Sequence, residues 1–273
     1  MTWLRCTRRH PCVVCGKPDW CTFTSDGAHR CMRMAEPPEG MRLVKVDMQG
    51  GAIFRGEAVD GRRNPPPPPV VQAVAKPKVP WRLLVENWMM AGWDRLGELA
   101  DALNVSVPSL AAMHVGWSEG HRSWTFPMRD ASARITGVRL RRPDGSKWAV
   151  KGSSEGLFYA PGKIGQTVYV AEGASDVAAM MTLGLSAVGK PSAQGGGPAL
   201  AGMLSGLDVV LIADSDDVGK RGAQATAHHL IGVARRVRIV VPSVGKDVRE
   251  WVRAGADAHR IRMAAERAAE VTA

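Results

Sequence analysis

The stretch DVVLIADSDDVGKRGA, Asp208–Ala223, decides the fold. An apolar, β-branched run ends in acids and then opens into a helical pattern, which is how a strand of an open α/β sheet hands over to its crossover helix. The same sequence grammar recurs upstream in VYVAEGASDVAAM (168–180) and downstream in VVPSVGKDVREWV (240–252). Between them TVYVAE, SAVGK, DVVLIAD and RVRIVVP read as short strands, separated by the helical segments ASDVAAMMTLG, PALAGMLSG and GKRGAQATAHHLIGVA. A parallel sheet covered by helices on both faces is the expectation. Ligands enter such a sheet at the carboxyl ends of its strands. Glu172 with Asp176, Asp214 with Asp216, and Asp247 are therefore the candidate site. Asp214 and Asp216, two apart on an extended segment, project to one side, where carboxylate oxygens suit a hard cation such as Mg2+. One loop acid is ordinarily just solvated; three acidic strand ends in a single α/β unit argue for a site. The Gly-rich SAQGGGPAL (192–200) permits close approach to a phosphate or simple loop freedom, and matches neither a Walker A loop nor a dinucleotide fingerprint.

Ahead of this unit, GVRLRRPDGSKWAVKG (137–152) has turn residues between two alternating runs. A type I turn over Arg142, Pro143, Asp144 and Gly145, with Gly145 in a G1 bulge, pairs Arg141 with Lys147 and Leu140 with Trp148. That register puts Arg139, Arg141, Lys147 and Lys151 on one face and Val138, Leu140, Trp148 and Val150 on the other, whereas a one-residue slip mixes them. Between His121 and Lys151 eight Arg or Lys stand against two Asp. A ribbon tracking phosphates fits this bias, and so does a solvated edge hairpin. Residues 81–116 read as short helices. LADALNVSVPSL (99–110) has the outline of a helix-turn-helix, but its second helix carries no Arg or Lys to reach a base edge, so packing is the better account.

All five cysteines, Cys6, Cys12, Cys15, Cys21 and Cys31, lie in the first 31 residues. An odd count at one end of a chain without a secretion signal argues against a disulfide framework, and CVVCG has the knuckle spacing of a thiolate zinc site. The chosen ligands are Cys12, Cys15, Cys21 and Cys31, with His10 and His29 as competitors for the fourth place and Cys6 as a bystander. Five consecutive prolines within GEAVDGRRNPPPPPVVQAVAKPKVP (56–80) imply an extended polyproline II spacer. The expected organisation is a zinc module over 1–55, a linker over 56–80, a basic α+β subdomain over 81–164, the α/β unit over 165–255 and a C-terminal helix over 256–273. A net charge of +10 on 273 residues favours a polyanionic partner. No apolar run approaches the roughly 20 residues that span a bilayer, and a cytoplasmic address is expected.

Residues 167–255 resemble a Toprim domain: Glu172-Gly173 matches the first motif, Asp214, Asp216 and Gly219 match DxDxxG, and Asp247 stands in the later KD element. With the cysteine module and basic segment in front, the chain resembles the primase half of bacteriophage and plasmid primases. The resemblance implies a Toprim fold, Rossmann-like, with an α+β polymerase subdomain and a zinc-ribbon-like module. It implies RNA primer synthesis on single-stranded DNA from ribonucleoside triphosphates, with Mg2+ or Mn2+ at the acids. Glu172 would be the acid/base or metal-positioning residue, Asp214 and Asp216 the principal metal ligands, Asp176 and Asp247 supporting acids, while Arg139, Arg141, Lys147 and Lys151 hold template or incoming triphosphate. Two departures stand out. Cys31 is followed by MRM in place of a closing CxxC, and no Walker A motif is present, so a separate helicase as partner, or action on exposed single strands, is expected. A non-catalytic zinc and Toprim recombination mediator and a Toprim nuclease are the competing readings. A topoisomerase needs a nucleophilic tyrosine, for which only Tyr159 and Tyr169 are available.

Overall fold

The computed structural model of the protein describes residues 3–47, 50–56, 79–162, 164–193 and 195–272. The chain divides into two compact units, 1–75 and 76–273. The stretch expected as a polyproline II spacer lies, over 57–78, outside the described residues.

The first unit is a small antiparallel sheet of β1 (Leu4–Arg5), β2 (Thr22–Phe23), β3 (Ala28–Cys31), β4 (Met41–Val46) and β5 (Ala52–Gly56), in the order β1-β2-β3-β5-β4. Its core is little more than Phe54, Ala52 and Val14 around the buried thiols. The knuckle Cys12–Cys15 is closed by Gly16, at φ +70°, whose N–H donates to the Cys12 carbonyl at 2.7 Å. Glycine reaches that left-handed conformation without strain.

The second unit opens with α1 (Trp81–Gly92), α2 (Leu96–Leu103) and α3 (Val107–Ala112). The α2–α3 pair is the expected helix-turn-helix outline, turned by Asn104 at φ +56° and capped by Ser106. It is packed, not presented: Leu99, Leu103 and Leu110 are buried, and the Ser106 N–H donates to Thr182 Oγ1 at 2.8 Å. An antiparallel sheet follows, β6 (Gly116–Ser118), β7 (Ser123–Arg129), β8 (Ile135–Arg141) and β9 (Lys147–Ala149), in sequential order. The β8–β9 register pairs Arg141 with Lys147 and Leu140 with Trp148, as the turn chemistry predicts, and Gly145 sits at φ +89°. Val138 and Leu140 pack with Val85 of α1. Alternation along the strand therefore sends Arg139 and Arg141 to the opposite face.

The four-stranded parallel sheet consists of β10 (Thr167–Glu172), β11 (Ala187–Lys190), β12 (Asp208–Ile212) and β13 (Arg236–Val240), in the order β11-β10-β12-β13. Its crossovers and flanking helices are α4 (Ala174–Thr182), α5 (Gly197–Met203), α6 (Asp217–Leu230), α7 (Val248–Arg253) and α8 (Ala258–Arg267). Period-two alternation feeds two cores. Val168 and Val170 pack with Leu200 of α5 and Ala227 of α6, whereas Tyr169 and Ala171 pack with Val177, Trp251 and Ile261 of α4, α7 and α8. The last of these cores also takes in Trp124, Phe126 and Met128 of β7, so the antiparallel sheet and the parallel sheet share one interior. Because β11 lies on one side of β10 and β12 on the other, the chain reverses direction across the sheet between β10 and β12. A crevice opens at such a switch point. Beyond α8, residues 270 and 271 pair with β13. Among the described residues no helix is long and apolar enough to cross a membrane.

Candidate active site

Glu172 is the last residue of β10, and Gly173, at φ +91°, makes the turn into α4 while its N–H donates to the Lys190 carbonyl at 3.0 Å. The turn carries Asp176 into the first helical turn, where it is buried. Asp214 follows β12 by two residues, and an added Cβ on Gly219 would lie 2.4 Å from the Asp214 Cβ, so the glycine of the DxDxxG pattern is required by space. Asp216 caps α6, accepting from Gly219 N–H at 2.8 Å, and Asp247 caps α7, accepting from Glu250 N–H at 2.7 Å. Capping carboxylates at helix N-termini are held by orphan amides and by the dipole.

A cavity of about 360 Å³ brings Glu172, Asp176, Asp214 and Asp247 together. Arg139 and Arg141 of β8, Lys147 of β9, Lys246 just before α7 and Arg249 within it line the same space. Asp216 lies outside this lining, exposed, with its carboxylate 3.1 Å from Lys246 Nζ, which is also 4.0 Å from Asp214. Lys151 is exposed beyond β9 and does not reach the cavity lining.

The electrostatics is that of charges gathered but incompletely paired. Burial, then repulsion from Asp247 and Asp214, pushes the Asp176 carboxyl well above the usual range, against the opposing pull of Arg249 and Lys147. Its Oδ1 is buried with no hydrogen-bond partner. Burial, then Glu172 and Asp247, raises Asp214 to about 6. On the other wall burial and then Arg249 lower the Arg141 pKa. The Nε atoms of Arg139 and Arg249 are buried without partners. Acids crowded until they resist ionisation, facing desolvated guanidiniums, favour a ligand that is itself cation and polyanion. The carboxylates are not drawn in to ligating distance: among the described residues only Cys12, Cys15, Cys21 and Cys31 form a group whose ligand atoms lie within 4.8 Å of one another.

That thiol cluster excludes His10 and His29, and Cys6 stands outside it with a thiol pushed up to about 11, first by burial and then by Cys12. At Cys15 burial is outweighed by hydrogen bonds from the Lys17 backbone and from neighbouring thiols, and the value falls to about 7. The amides of Arg33 and Met34 both donate to Cys31 Sγ at 3.4 Å. Amide donors aimed at sulfur suit a thiolate bound to a metal.

Two residues close to the acids escaped the sequence reading. Arg249 sits within VVPSVGKDVREWV, yet nothing local marks it as facing the acids. Lys190 closes β11 beside Glu172, buried, with Nζ donating to the Ala193 carbonyl at 2.8 Å and to Thr226 Oγ1 at 2.9 Å. A lysine ending an apolar strand run was the available signal. The tyrosines are placed away from the acids: both are buried, and the Tyr159 hydroxyl donates to the Asp130 carbonyl at 2.6 Å.

No protein-family model matches the chain, and no curated protein sequence does. Solved structures do match. The primase fragment of the bacteriophage T7 primase-helicase protein aligns at 19% identity and TM-score 0.53, covering 96% of this chain and 99% of that one. The DnaG catalytic core aligns at 15% identity and TM-score 0.56 over 69% of this chain and 79% of its own. A DnaG primase catalytic domain bound to single-stranded DNA gives 15% identity and TM-score 0.55 over 69% and 77%. The mixed α/β architecture, with its parallel four-stranded sheet and N-terminal four-cysteine cluster, thus has the fold of the DnaG and T7 primase fragments.

Proposed function

We propose that this chain is a DNA-dependent RNA primase, making short RNA primers on single-stranded DNA by metal-dependent nucleotidyl transfer. The observation that carries the reading is one cavity lined by the four carboxylates Glu172, Asp176, Asp214 and Asp247 together with Arg139, Arg141, Lys147, Lys246 and Arg249. A nucleoside triphosphate needs both. Arg139, Arg141, Lys147 and Arg249 would hold its phosphates, and Lys151, further out, would meet template backbone. Glu172 would accept the proton of the attacking 3′ hydroxyl as the new bond to the α-phosphorus forms and pyrophosphate departs. A hard divalent cation, Mg2+ or Mn2+, held by Glu172, Asp214 and Asp216, would supply charge stabilisation on the triphosphate. The unpartnered Asp176 oxygen and the mutual repulsion of the acids fit such an ion. Asp176 and Asp247 support the site as buried neighbour and helix cap. In the first unit Cys12, Cys15, Cys21 and Cys31 would bind one structural zinc, and the module would select template. The matching fragment bound to single-stranded DNA supports that substrate; a separate helicase completes the expected partners.

Incorporation of labelled ribonucleotides on a panel of single-stranded DNA templates tests the reading. Wild-type protein should yield oligoribonucleotides with Mg2+ or Mn2+, and Glu172→Gln and Asp214→Asn should each lose at least ~100-fold while remaining folded. Absence of product on every template, or undiminished synthesis by Glu172→Gln, defeats it and returns the chain to the non-catalytic mediator or nuclease class.

A further inference from the structure

A second, slightly larger hollow of about 420 Å³ opens at the other end of the parallel sheet, where the strands begin. Strand register places its walls. Thr167, Asp208 and Arg236 lie side by side in one row, and Tyr169, Val210 and Arg238 in the next. This is the face that α8 covers, since Tyr169 and Val210 share a core with Ile261 and Ala265. A covered face asks for apolar residues, as Val240 supplies one step further along β13. Arg238 breaks the pattern, and local rules are broken chiefly where function asks for it.

Three guanidiniums, Arg236, Arg238 and Arg262, line this hollow with Asp208 and Glu266, and Glu270 stands opposite Arg238 on the bridging segment. Asp208 is already spoken for, because Arg235 Nε and Arg236 Nε lie 2.8 Å and 3.0 Å from its Oδ1, which also fixes the two guanidiniums in place. Arg238 Nε is buried with no partner. Arg262, from α8, reaches the same hollow and acts on the buried Tyr169 hydroxyl, as does Glu266 one turn on. A buried guanidinium nitrogen without a partner, as at Arg238, carries a penalty that a bound oxyanion removes.

We propose that this hollow is a second binding site, taking the polyphosphate of a free nucleotide or pyrophosphate between Arg236, Arg238 and Arg262. Arg236 and Arg238, two residues apart on one strand face, have Cα atoms about 7 Å apart, so their side chains can grip neighbouring phosphates. The hydroxyls of Thr167 and Ser186 add neutral donors at the floor. The proposal stands independently of what the carboxylate cavity does.

The test is calorimetric titration of pyrophosphate into the full-length protein at low salt without divalent metal. To silence the other cavity, the titration is run on Arg141→Gln/Lys147→Gln. That protein should still bind pyrophosphate, and adding Arg262→Gln or Arg238→Gln should weaken binding at least tenfold. Arg262 is exposed, so its replacement keeps the test alive should the Arg238 variant misfold. ATP should displace the pyrophosphate and adenosine should not, which identifies phosphate as the group held. No binding to Arg141→Gln/Lys147→Gln, binding indifferent to Arg262→Gln, or displacement by adenosine overturns the proposal.

Discussion

The two units of this chain are stable for different reasons. In the first unit the interior is Phe54, Ala52, Val14 and sulfur, under short strands of which β4 is largely exposed. In the second, two aliphatic and aromatic cores sandwich a parallel sheet. A core the size of the first cannot offset the entropy of ordering its loops, whereas the second has apolar area to spare and can afford buried, poorly paired charge at its strand ends. The first unit should therefore be metal-made, and the second packing-made and free to hold a strained polar site.

The largest effect is expected from breaking the thiol cluster. Structural zinc contributes about 10 kcal/mol or more to small domains of this kind, so Cys21→Ser or a strong chelator should unfold the first unit outright while the second keeps its thermal transition. Metal content together with amide exchange in each unit checks this; a first unit that keeps its protection without metal erases the contrast.

Lys190→Met comes next. Burial lowers the Lys190 pKa against the opposing pull of Glu172 and Asp214, its hydrogen bonds go to a carbonyl and a hydroxyl, and an apolar isostere at such a buried charge is often neutral or stabilising. The melting temperature should hold or rise while the KM for ribonucleotides increases, because the lysine anchors Ala193, and Arg139 Nη2 donates to the nearby Pro191 carbonyl at 3.4 Å. Arg should restore function partly. A loss of several kcal/mol in stability would instead make Lys190 a structural residue.

The smallest effect is expected at Asp208. Hydrogen bonds from Arg236 and Arg235 hold its carboxyl well below the usual range. A depressed folded-state pKa gives stability that is present above the unfolded value near 4 and is lost as pH falls toward the folded one. With both arginines about half exposed, Asp208→Asn should cost only about 1 kcal/mol at neutral pH. The difference from wild type should shrink as unfolding is measured at successively lower pH below 4. A cost that persists unchanged in acid would point to packing and away from charge.

Much of the fold was legible because it is written locally. TVYVAE is β10 residue for residue, and the other three apolar runs each contain their strand. The β8–β9 register followed from one glycine and one turn, and the four thiols singled out by the knuckle spacing are the four whose sulfurs gather. Each of these depends on neighbours a few residues away. Which acids line the cavity, however, depends on how α4 and α7 pack on the sheet: Asp216 caps α6 in solvent while Asp214 faces the cavity, a difference that sequence spacing does not carry.

The sequence by itself determined the strands, their acidic ends, the segregated hairpin and the cysteine set, because periodicity, turn chemistry and ligand spacing act over short range. Only the tertiary structure decided that the basic face of β8 turns toward the carboxylates, that Arg249 joins them while Lys190 stands beside Glu172, that Lys151 lies outside the lining, and that the Arg238 Nε is buried without a hydrogen-bond partner. Those outcomes follow from which hydrophobic faces find each other across long stretches of chain, and burial, the first cause of the raised Asp176 and Asp214 carboxyls, exists only once they have.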